Sequence, residues 1–479
     1  MFLRPSLLAL AAAALLSACA VGPDYVRPTL PVPDAYKEAG DWKPADPRPA
    51  ASGLAWWQAY GDPVLDGLQA DADKANQNIR QAEATYRQAK ALADADRAGL
   101  FPSLGLNAGA DRARTNSNGI HVGNGYSVGL AASWEPDLWG SVRRQVEAGN
   151  AGAQASADDL AAARLSIQTT LAQDYLQLRI ADQQRDLYAA TVDAYTKALK
   201  LTRAQHAAGV ALQSDVALAE AQLAQAQAAA IDLEATRAQL EHAIAVLTGR
   251  APAQFTLAAA PANQPLALKM PATPVGLPSA LLEHRPDIAA AERRAAAANA
   301  NIGVAKAAYF PQLTLSASGG FSAAALGNLF DAPARVWSLG GALAQTLFDG
   351  GLRSARTAQA VAAYDVSVAQ YKETVLGGFQ QVEDQLALLR LLDQESTLQD
   401  QAVRSSQQAE KLALAQYRAG TASYLSVVTA QTLSLNNQRS AVQLRGRLVA
   451  ASISLVAATG GGWSATDSPA VASTPAQPQ

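Results

Sequence analysis

The residue types that most often carry chemistry are few in this chain and wrongly spaced for it. Its four histidines, His121, His206, His242 and His284, stand at intervals that no metal-binding pattern uses, and Cys19 is the only cysteine. A zinc centre, a thiol centre and an internal disulfide are therefore not expected. No GxSxG turn that would raise a serine nucleophile occurs, and no GxxxxGK(S/T) phosphate loop. Gly123-Asn124-Gly125 lies among alternating residues of strand type rather than ahead of a helix, where backbone amides would have to converge on a phosphate. Glu283, Arg285 and Asp287 read as a solvated helix start, not an acid and base pair. A net charge of only −3 without a basic stripe argues against nucleic acid as a partner. The expectation is a protein that is not an enzyme and holds no cofactor or metal.

Cys19 has a different chemistry open to it. Arg4 precedes an apolar run from Leu7 to Leu16, followed by Ser17, Ala18 and Cys19, which is the layout of a secretory signal over residues 1–18. The run is too short to span a bilayer, which needs ~20 residues. Leu16-Ser17-Ala18-Cys19 resembles the lipobox of bacterial lipoproteins, which implies that the Cys19 thiol takes a diacylglyceryl group and becomes the mature N-terminus. Ala20 follows, not the Asp that such proteins use for inner-membrane retention. Lipid anchoring in the cell outer membrane, with the chain extending into the periplasm, is the expectation.

The elements that follow are written twice. Phe101-Pro102-Ser103-Leu104 returns as Phe310-Pro311-Gln312-Leu313, an offset of 310 − 101 = 209, and Ala82-Glu83 returns as Ala291-Glu292. Leu138-Trp139-Gly140 matches Leu347-Phe348-Asp349 at the same offset, while Ala208-Gly209 matches Ala419-Gly420 and Thr248-Gly249 matches Thr459-Gly460. Two homologous halves are the simplest reading. Residues 137–251 and 334–468 contain no proline, and 153–208 no glycine, so that stretch alone predicts a helix of ~84 Å. Leu65, Leu68, Ala72, Ala75, Ile79, Ala82, Tyr86, Ala89 and Ala93 alternate steps of three and four, as a coiled-coil seam does. Ile288, Ala291, Ala295, Ala298 and Ile302 repeat the rhythm, as do Val375, Phe379, Val382, Leu386 and Leu389, and Val428, Leu435, Val442, Val449 and Val456 fall at strict sevens. Periodicity alone leaves a soluble four-helix bundle or a cytoplasmic coiled coil open.

Strands decide between these. Leu104, Leu106, Ala108 and Ala110 alternate with Ser103, Gly105, Asn107 and Gly109; Tyr126, Val128, Leu130, Ala132 and Trp134 alternate with Ser127, Gly129, Ala131 and Ser133. The second half repeats this with Leu313, Leu315 and Ala317, and with Trp337, Leu339, Gly341 and Leu343. Each run approaches the ~9 to 11 residues that cross a bilayer when tilted, with Trp134, Trp139, Trp337 and Phe348 toward the ends. A lipid-exposed strand needs both edges paired and a closed barrel needs ~8 strands or more, so four strands cannot span a membrane alone. Two copies would give ~8 strands and a filled interior, three would give ~12 and a channel, which favours a trimer.

Four stretches then carry a resemblance over nearly all of the mature chain: CAVGPDYVRPTLPVP from Cys19, WWQAYGDPVLDGLQADADKANQNIRQAEATYRQA from Trp56, SWEPDLWGSVRRQ from Ser133, and LPSALLEHRPDIAAAERRAAAANANIGVAKAAYFPQLTLSASGG from Leu277. The chain resembles TolC-like outer-membrane efflux lipoproteins of the NodT and OprM type. This implies a mainly α protein with a small β part: a coiled-coil tunnel plus a transmembrane β-barrel shared by three subunits, four strands from each, with two internal repeats. The expected layout is a signal peptide at 1–18 and a lipid-anchored Pro-rich segment at 19–61. A first repeat spans 62–250, with helices 62–100, 139–208 and 211–249 and strands 103–115 and 125–136. After a Pro-rich equatorial linker at 251–278, a second repeat spans 279–460, with helices 279–309, 350–418 and 422–459 and strands 312–322 and 335–347. A disordered tail covers 461–479.

The resemblance also implies a homotrimer that contacts outer-membrane lipid, a periplasmic adaptor protein and an inner-membrane transporter of the resistance-nodulation-division class. Adaptor contact falls at the tip turns, Ala208, Gly209 and Val210 in one and Arg418, Ala419, Gly420 and Thr421 in the other, each glycine ending a long helix. His206 and Ala207 depart from the aromatic and basic pair usual there; Ser426 and Thr429 stand where some relatives carry gate aspartates, and Asp215 remains a candidate gate charge. An outlet for type I protein secretion or heavy-metal efflux is the nearer alternative, a periplasmic coiled coil without a pore the more distant one.

Overall fold

The computed structural model describes residues 20–39, 55–116, 120–260 and 284–464. The signal segment, Cys19, residues 40–54, most of the linker and the tail from 465 lie outside the described residues. Among the described residues, seven α-helices and four strands follow in the order α1 (Pro63–Ala75), α2 (Gln77–Ala98), β1 (Ser103–Thr115), β2 (His121–Trp134), α3 (Ser141–Ala207), α4 (Gln213–Leu247), α5 (Pro286–Ala307), β3 (Gln312–Ala323), β4 (Arg335–Ala344), α6 (Leu352–Arg418) and α7 (Tyr424–Ala458). The long helices match in length across the two halves: α3 and α6 have 67 residues each, α4 and α7 have 35 each. Sixty-seven residues make a rod of about 100 Å.

One expected element is two. The helix predicted over 62–100 breaks at Asn76, whose backbone is extended and whose side chain accepts from the N–H groups of Asn78 and Ile79, so it caps α2. Its Nδ2 donates to the carbonyl of Leu247 at 2.9 Å, tying the break to the foot of α4. The apolar rhythm runs through the break, because Leu65, Leu68, Ala72 and Ile79 are all buried. A second expectation fails at the C-terminus. Trp463, assigned to a disordered tail, is 4% exposed, and His284 Nδ1 lies 3.2 Å from its carbonyl oxygen. The expected strand 335–347 stops at Ala344, and the expected helix from 279 begins, among the described residues, near Pro286, whose ring suits a first helical turn.

The rods pack in antiparallel pairs, α3 on α4 and α6 on α7, while α2 lies along α3 and α5 lies against both α3 and α6. Leu171, Tyr175, Leu178 and Ile244 form one core with Leu65, Leu68, Ile453 and Tyr60; Val375, Val382, Leu386 and Leu455 form another with Ile288. All four strands join one antiparallel sheet in the order β1-β2-β3-β4, so β1 and β4 are edges within the chain. Among the described residues, the sheet stands at one end of the rods with no helix over either face, and β4 is exposed along its whole length.

Candidate functional site

Register sorts the sheet by chemistry. Ala108 faces Val128, Val128 faces Phe321 and Phe321 faces Arg335; Leu106 faces Leu130 and Ala317 faces Leu339. Directly opposed residues share a face, so Leu104, Leu106, Tyr126, Leu130, Trp134, Leu315, Phe321, Trp337, Leu339 and Leu343 all lie on one side. Leu104, Leu106, Trp337 and Leu339 are each at least 70% exposed. The other side holds small and polar residues: Ser103, Asn107, Ser127, Ser133, Thr314, Ser316, Ser318 and Ser338, with Ser318 Oγ and Ser338 Oγ 2.8 Å apart. A Cβ built on Gly320 on this side would meet the Val128 carbonyl and the Gly129 Cα, so β2 and β3 approach too closely there for any side chain. Gly123-Asn124-Gly125 lies within β2, with Gly125 opposite Asp111.

At the far end of the rods, Gly209 and Gly420 take φ of +74° and +76°, the left-handed conformation that glycine adopts without a Cβ penalty. Val210 N–H donates to the Gln205 carbonyl at 2.8 Å and Thr421 N–H to the Gln416 carbonyl at 2.9 Å, closing the same six-residue turn twice. Ala208, Gly209, Val210, Arg418, Ala419, Gly420 and Thr421 are all exposed. Below them, Leu199, Val216 and Ala219 share one core with Tyr417, Tyr424 and Val427, which brings the two hairpins together. The Tyr417 and Tyr424 rings are 5.3 Å apart, and Thr202 Oγ1 lies 3.4 Å from the Tyr417 hydroxyl. Burial, with Tyr417 beside it, pushes the Tyr424 phenol up to about 12. The gate candidates have local partners. Asp215 Oδ2 accepts from Leu212 N–H at 3.2 Å, Thr429 Oγ1 donates to the Leu425 carbonyl at 2.9 Å, and Ser426 Oγ pairs with Ser423 Oγ.

The N-terminal segment runs from the foot of the sheet down the outside of the rods. Val21 N–H donates to the Trp139 carbonyl, Asn299 to the Pro23 carbonyl, Arg144 to Asp24 at 2.7 Å and the Tyr25 hydroxyl to Glu292 at 2.6 Å. Glu383 accepts from the amides of both Lys37 and Glu38, and Arg390 pairs with Glu38. Residues 255–260 are clamped elsewhere on the girth. Asp182, 1% exposed, accepts from Arg237 at 2.8 Å, from Arg179 at 3.2 Å and from Ala260 N–H at 3.1 Å. The same arginines donate to the carbonyls of Leu257 and Ala258. Arg285 is likewise buried, held by Asp287, Gln381 and the Ala458 carbonyl, which corrects its reading as a solvated helix start.

Sequence reasoning found the tip turns but not the Tyr417 and Tyr424 pair that joins them, although two tyrosines seven apart across the Arg418–Thr421 turn were a visible signal. Of the Asp182 network only Arg179, three residues earlier on the same helix, was a local signal; Arg237 and Ala260 lie 237 − 182 = 55 and 260 − 182 = 78 residues away.

The pattern of the family described as "Outer membrane efflux protein" matches residues 68–250 and again 277–461. The chain is 33% identical over 462 residues to outer membrane protein OprJ of Pseudomonas aeruginosa, covering 95% of each. It is 32% identical over 466 residues to the pyoverdine export outer membrane protein OpmQ of the same species, covering 95% of this chain and 96% of the relative. With the toluene efflux pump outer membrane protein TtgF of Pseudomonas putida it shares 31% over 470 residues, 95% of this chain and 96% of the relative. Among solved structures, the outer-membrane channel OprN superposes with a TM-score of 0.87 at 31% identity, over 93% of this chain and all of that one. The MtrE outer membrane channel of Neisseria gonorrhoeae does so at 0.80 and 28%, over 93% of this chain and 98% of that one. A mostly helical chain with a small sheet apolar on one face and polar on the other, matched twice by one pattern and along its length by outer-membrane channels, belongs to the outer membrane efflux protein family.

Proposed function

We propose that this protein is the exit duct of a tripartite efflux system, passively conducting small organic solutes out of the cell. Three copies close their strands, four from each, into one barrel of ~12 strands that continues as a helical tunnel through the periplasm. The carrying observation is the sorted sheet: an exposed apolar face suited to lipid, a small and polar face suited to a water-filled lumen, and two bare edges that only other copies can pair. The matched lengths of the rods and the doubled family match support two repeats within the chain. The names of OpmQ and TtgF, which specify pyoverdine export and toluene efflux, support small organic compounds as the class of cargo. A periplasmic adaptor and an inner-membrane pump of the resistance-nodulation-division class deliver that cargo to the tip turns. Purified oligomers in a planar bilayer should show discrete single-channel steps; a preparation that is folded and silent overturns the reading.

Two residue roles belong to this proposal. Cys19 carries the lipid anchor, and Ala20, which follows it, packs against Gly140, six residues beyond the end of β2. Metabolic labelling with a radioactive lipid precursor should mark the wild type and not Cys19→Ala; label retained by that variant overturns the anchor.

The tip turns are the adaptor contact. Gly420→Pro deletes the N–H that donates to the Tyr417 carbonyl at 3.0 Å and forces φ from +76° to near −65°. Drug resistance in a complementation assay should fall to the level of the deletion strain while trimers persist on gels. Gly209→Ala, with nothing within 4 Å of the added carbon, should cost only ~1–2 kcal/mol of backbone strain and leave resistance near wild type.

A further inference from the structure

We infer that the outer rim of the barrel is a binding site for a lipid with a phosphorylated head group, formed by Arg112 and Arg114 of one copy and Arg335 of its neighbour. The inference rests on the barrel reading above. The outward face of the strands, followed away from the helices, is apolar through Leu104, Leu106, Ala108 and Ala110 on β1, then turns cationic at Arg112 and Arg114. On β4, the cation at the same end of the sheet is Arg335, two positions beyond the exposed Trp337. No Asp or Glu stands on the outward face of any strand, and Asp111 points to the other side, toward Gly125. All three arginines are exposed, and none enters an ion pair among the described residues.

Within one chain these cations sit on opposite edges of the sheet, three strands apart. Closure sets β4 beside β1 of the next copy, one strand spacing of ~4.8 Å away, so the cluster is complete only between subunits. Aromatic residues share this face: Tyr126 opposite Ala110, two positions short of Arg112, Phe321 directly opposite Arg335, and Trp337 two positions nearer the helices than Arg335, as an aromatic girdle borders a head-group layer. A guanidinium leaving an apolar band there reaches phosphate, with which it makes paired charge-assisted hydrogen bonds. Three uncompensated cations against bare hydrocarbon would instead be costly. The lipid source fits this better than a free anion, because the patch continues the acyl-facing band and has no enclosing walls.

The test uses full-length oligomer in detergent, native mass spectrometry, and two probes: bisphosphorylated lipid A and the same lipid stripped of its phosphates. Wild type should retain the phosphorylated probe about tenfold better than the stripped one, and the R112Q/R114Q/R335Q variant should lose that preference. Arg335→Gln alone should also lower retention, because the site spans two copies. Equal retention by variant and wild type overturns the proposal, as does equal binding of both probes or displacement by millimolar inorganic phosphate. Single-channel steps and heat-resistant oligomers are read on the same samples. Their absence from the wild type would indict the barrel reading, whereas their presence with unchanged lipid retention in the variants would indict the rim alone.

Discussion

Gly320→Val should yield chain that reaches the envelope but forms no heat-resistant oligomer and no conducting channel. A carbon added at Gly320 would run into the Val128 carbonyl and the Gly129 Cα, both of them backbone and unable to rotate away. Overpacking commonly costs ~1–3 kcal/mol where side chains can shift; here the partner strand itself must move. The strand concerned is β2, and the β2–β3 pairing is what unites the two hairpins into one sheet. Separating them leaves each copy with two unconnected ribbons and four edges in place of two, and a barrel cannot close. Gly319→Ala is the control, because nothing lies within 4 Å of a carbon added at that neighbouring position. Gel mobility with and without heating, followed by conductance, would check the pair; oligomers from Gly320→Val equal in yield to Gly319→Ala would refute the steric argument.

Asp182→Ala should give the largest loss of stability from any single change in the helical part. The carboxylate is almost fully buried and answers two guanidinium groups and the Ala260 amide. Removing it leaves Arg179, mostly buried, with only neutral acceptors, the Tyr175 hydroxyl and the Ala258 carbonyl, while Arg237 keeps its ion pair with Glu241. Breaking a buried pair from one side costs ~3–5 kcal/mol, because the remaining charge, here Arg179, keeps its desolvation penalty without a counter-charge. The segment they hold, residues 257–260, should come loose with them, so limited proteolysis ought to cut near Ala258 in the variant well before the wild type. Asp182→Asn keeps the shape and the acceptor for Ala260 and should lie between the two. Thermal dissociation of purified oligomer is the measurement, and a midpoint unchanged in Asp182→Ala would show that the network is ornamental.

The sheet was legible in the sequence because alternation over β1 and β3 is strict and each strand follows a Phe-Pro pair that ends a helix. Rod lengths were legible for the equally simple reason that proline is absent from 137–251 and 334–468, although the helices do contain the interior glycines Gly149, Gly152, Gly377, Gly378 and Gly446. Packing within the rods was less so. The last helix was read from Val428, Leu435 and Val442, whereas its buried row near the tip is Tyr424, Val427, Gln431 and Ser434. Two of those four are polar, so a scan for apolar sevens locks onto the neighbouring half-buried row. Asn76 was hidden in the same way, since an apolar rhythm can continue across a capped break that only the backbone reveals. Gate candidates were placed by resemblance, and the bonds they make, Asp215 to Leu212 and Thr429 to Leu425, are ordinary local ones that a helix start or a back-bonded threonine would make in any bundle. Contacts such as Arg390 with Glu38 join residues 390 − 38 = 352 apart, and no local pattern announces them.

The bare rims of the sheet govern more than its final shape. Each newly exported molecule must travel between two membranes with both ladders of amide and carbonyl groups open and with Trp337, Leu339 and Leu343 uncovered on β4. Such a ribbon will template on whatever strand it meets first. Correct biogenesis therefore depends on escorts that shield it in transit, and overproduction should outrun them, filling the compartment with insoluble misassembled chain before the bilayer is saturated.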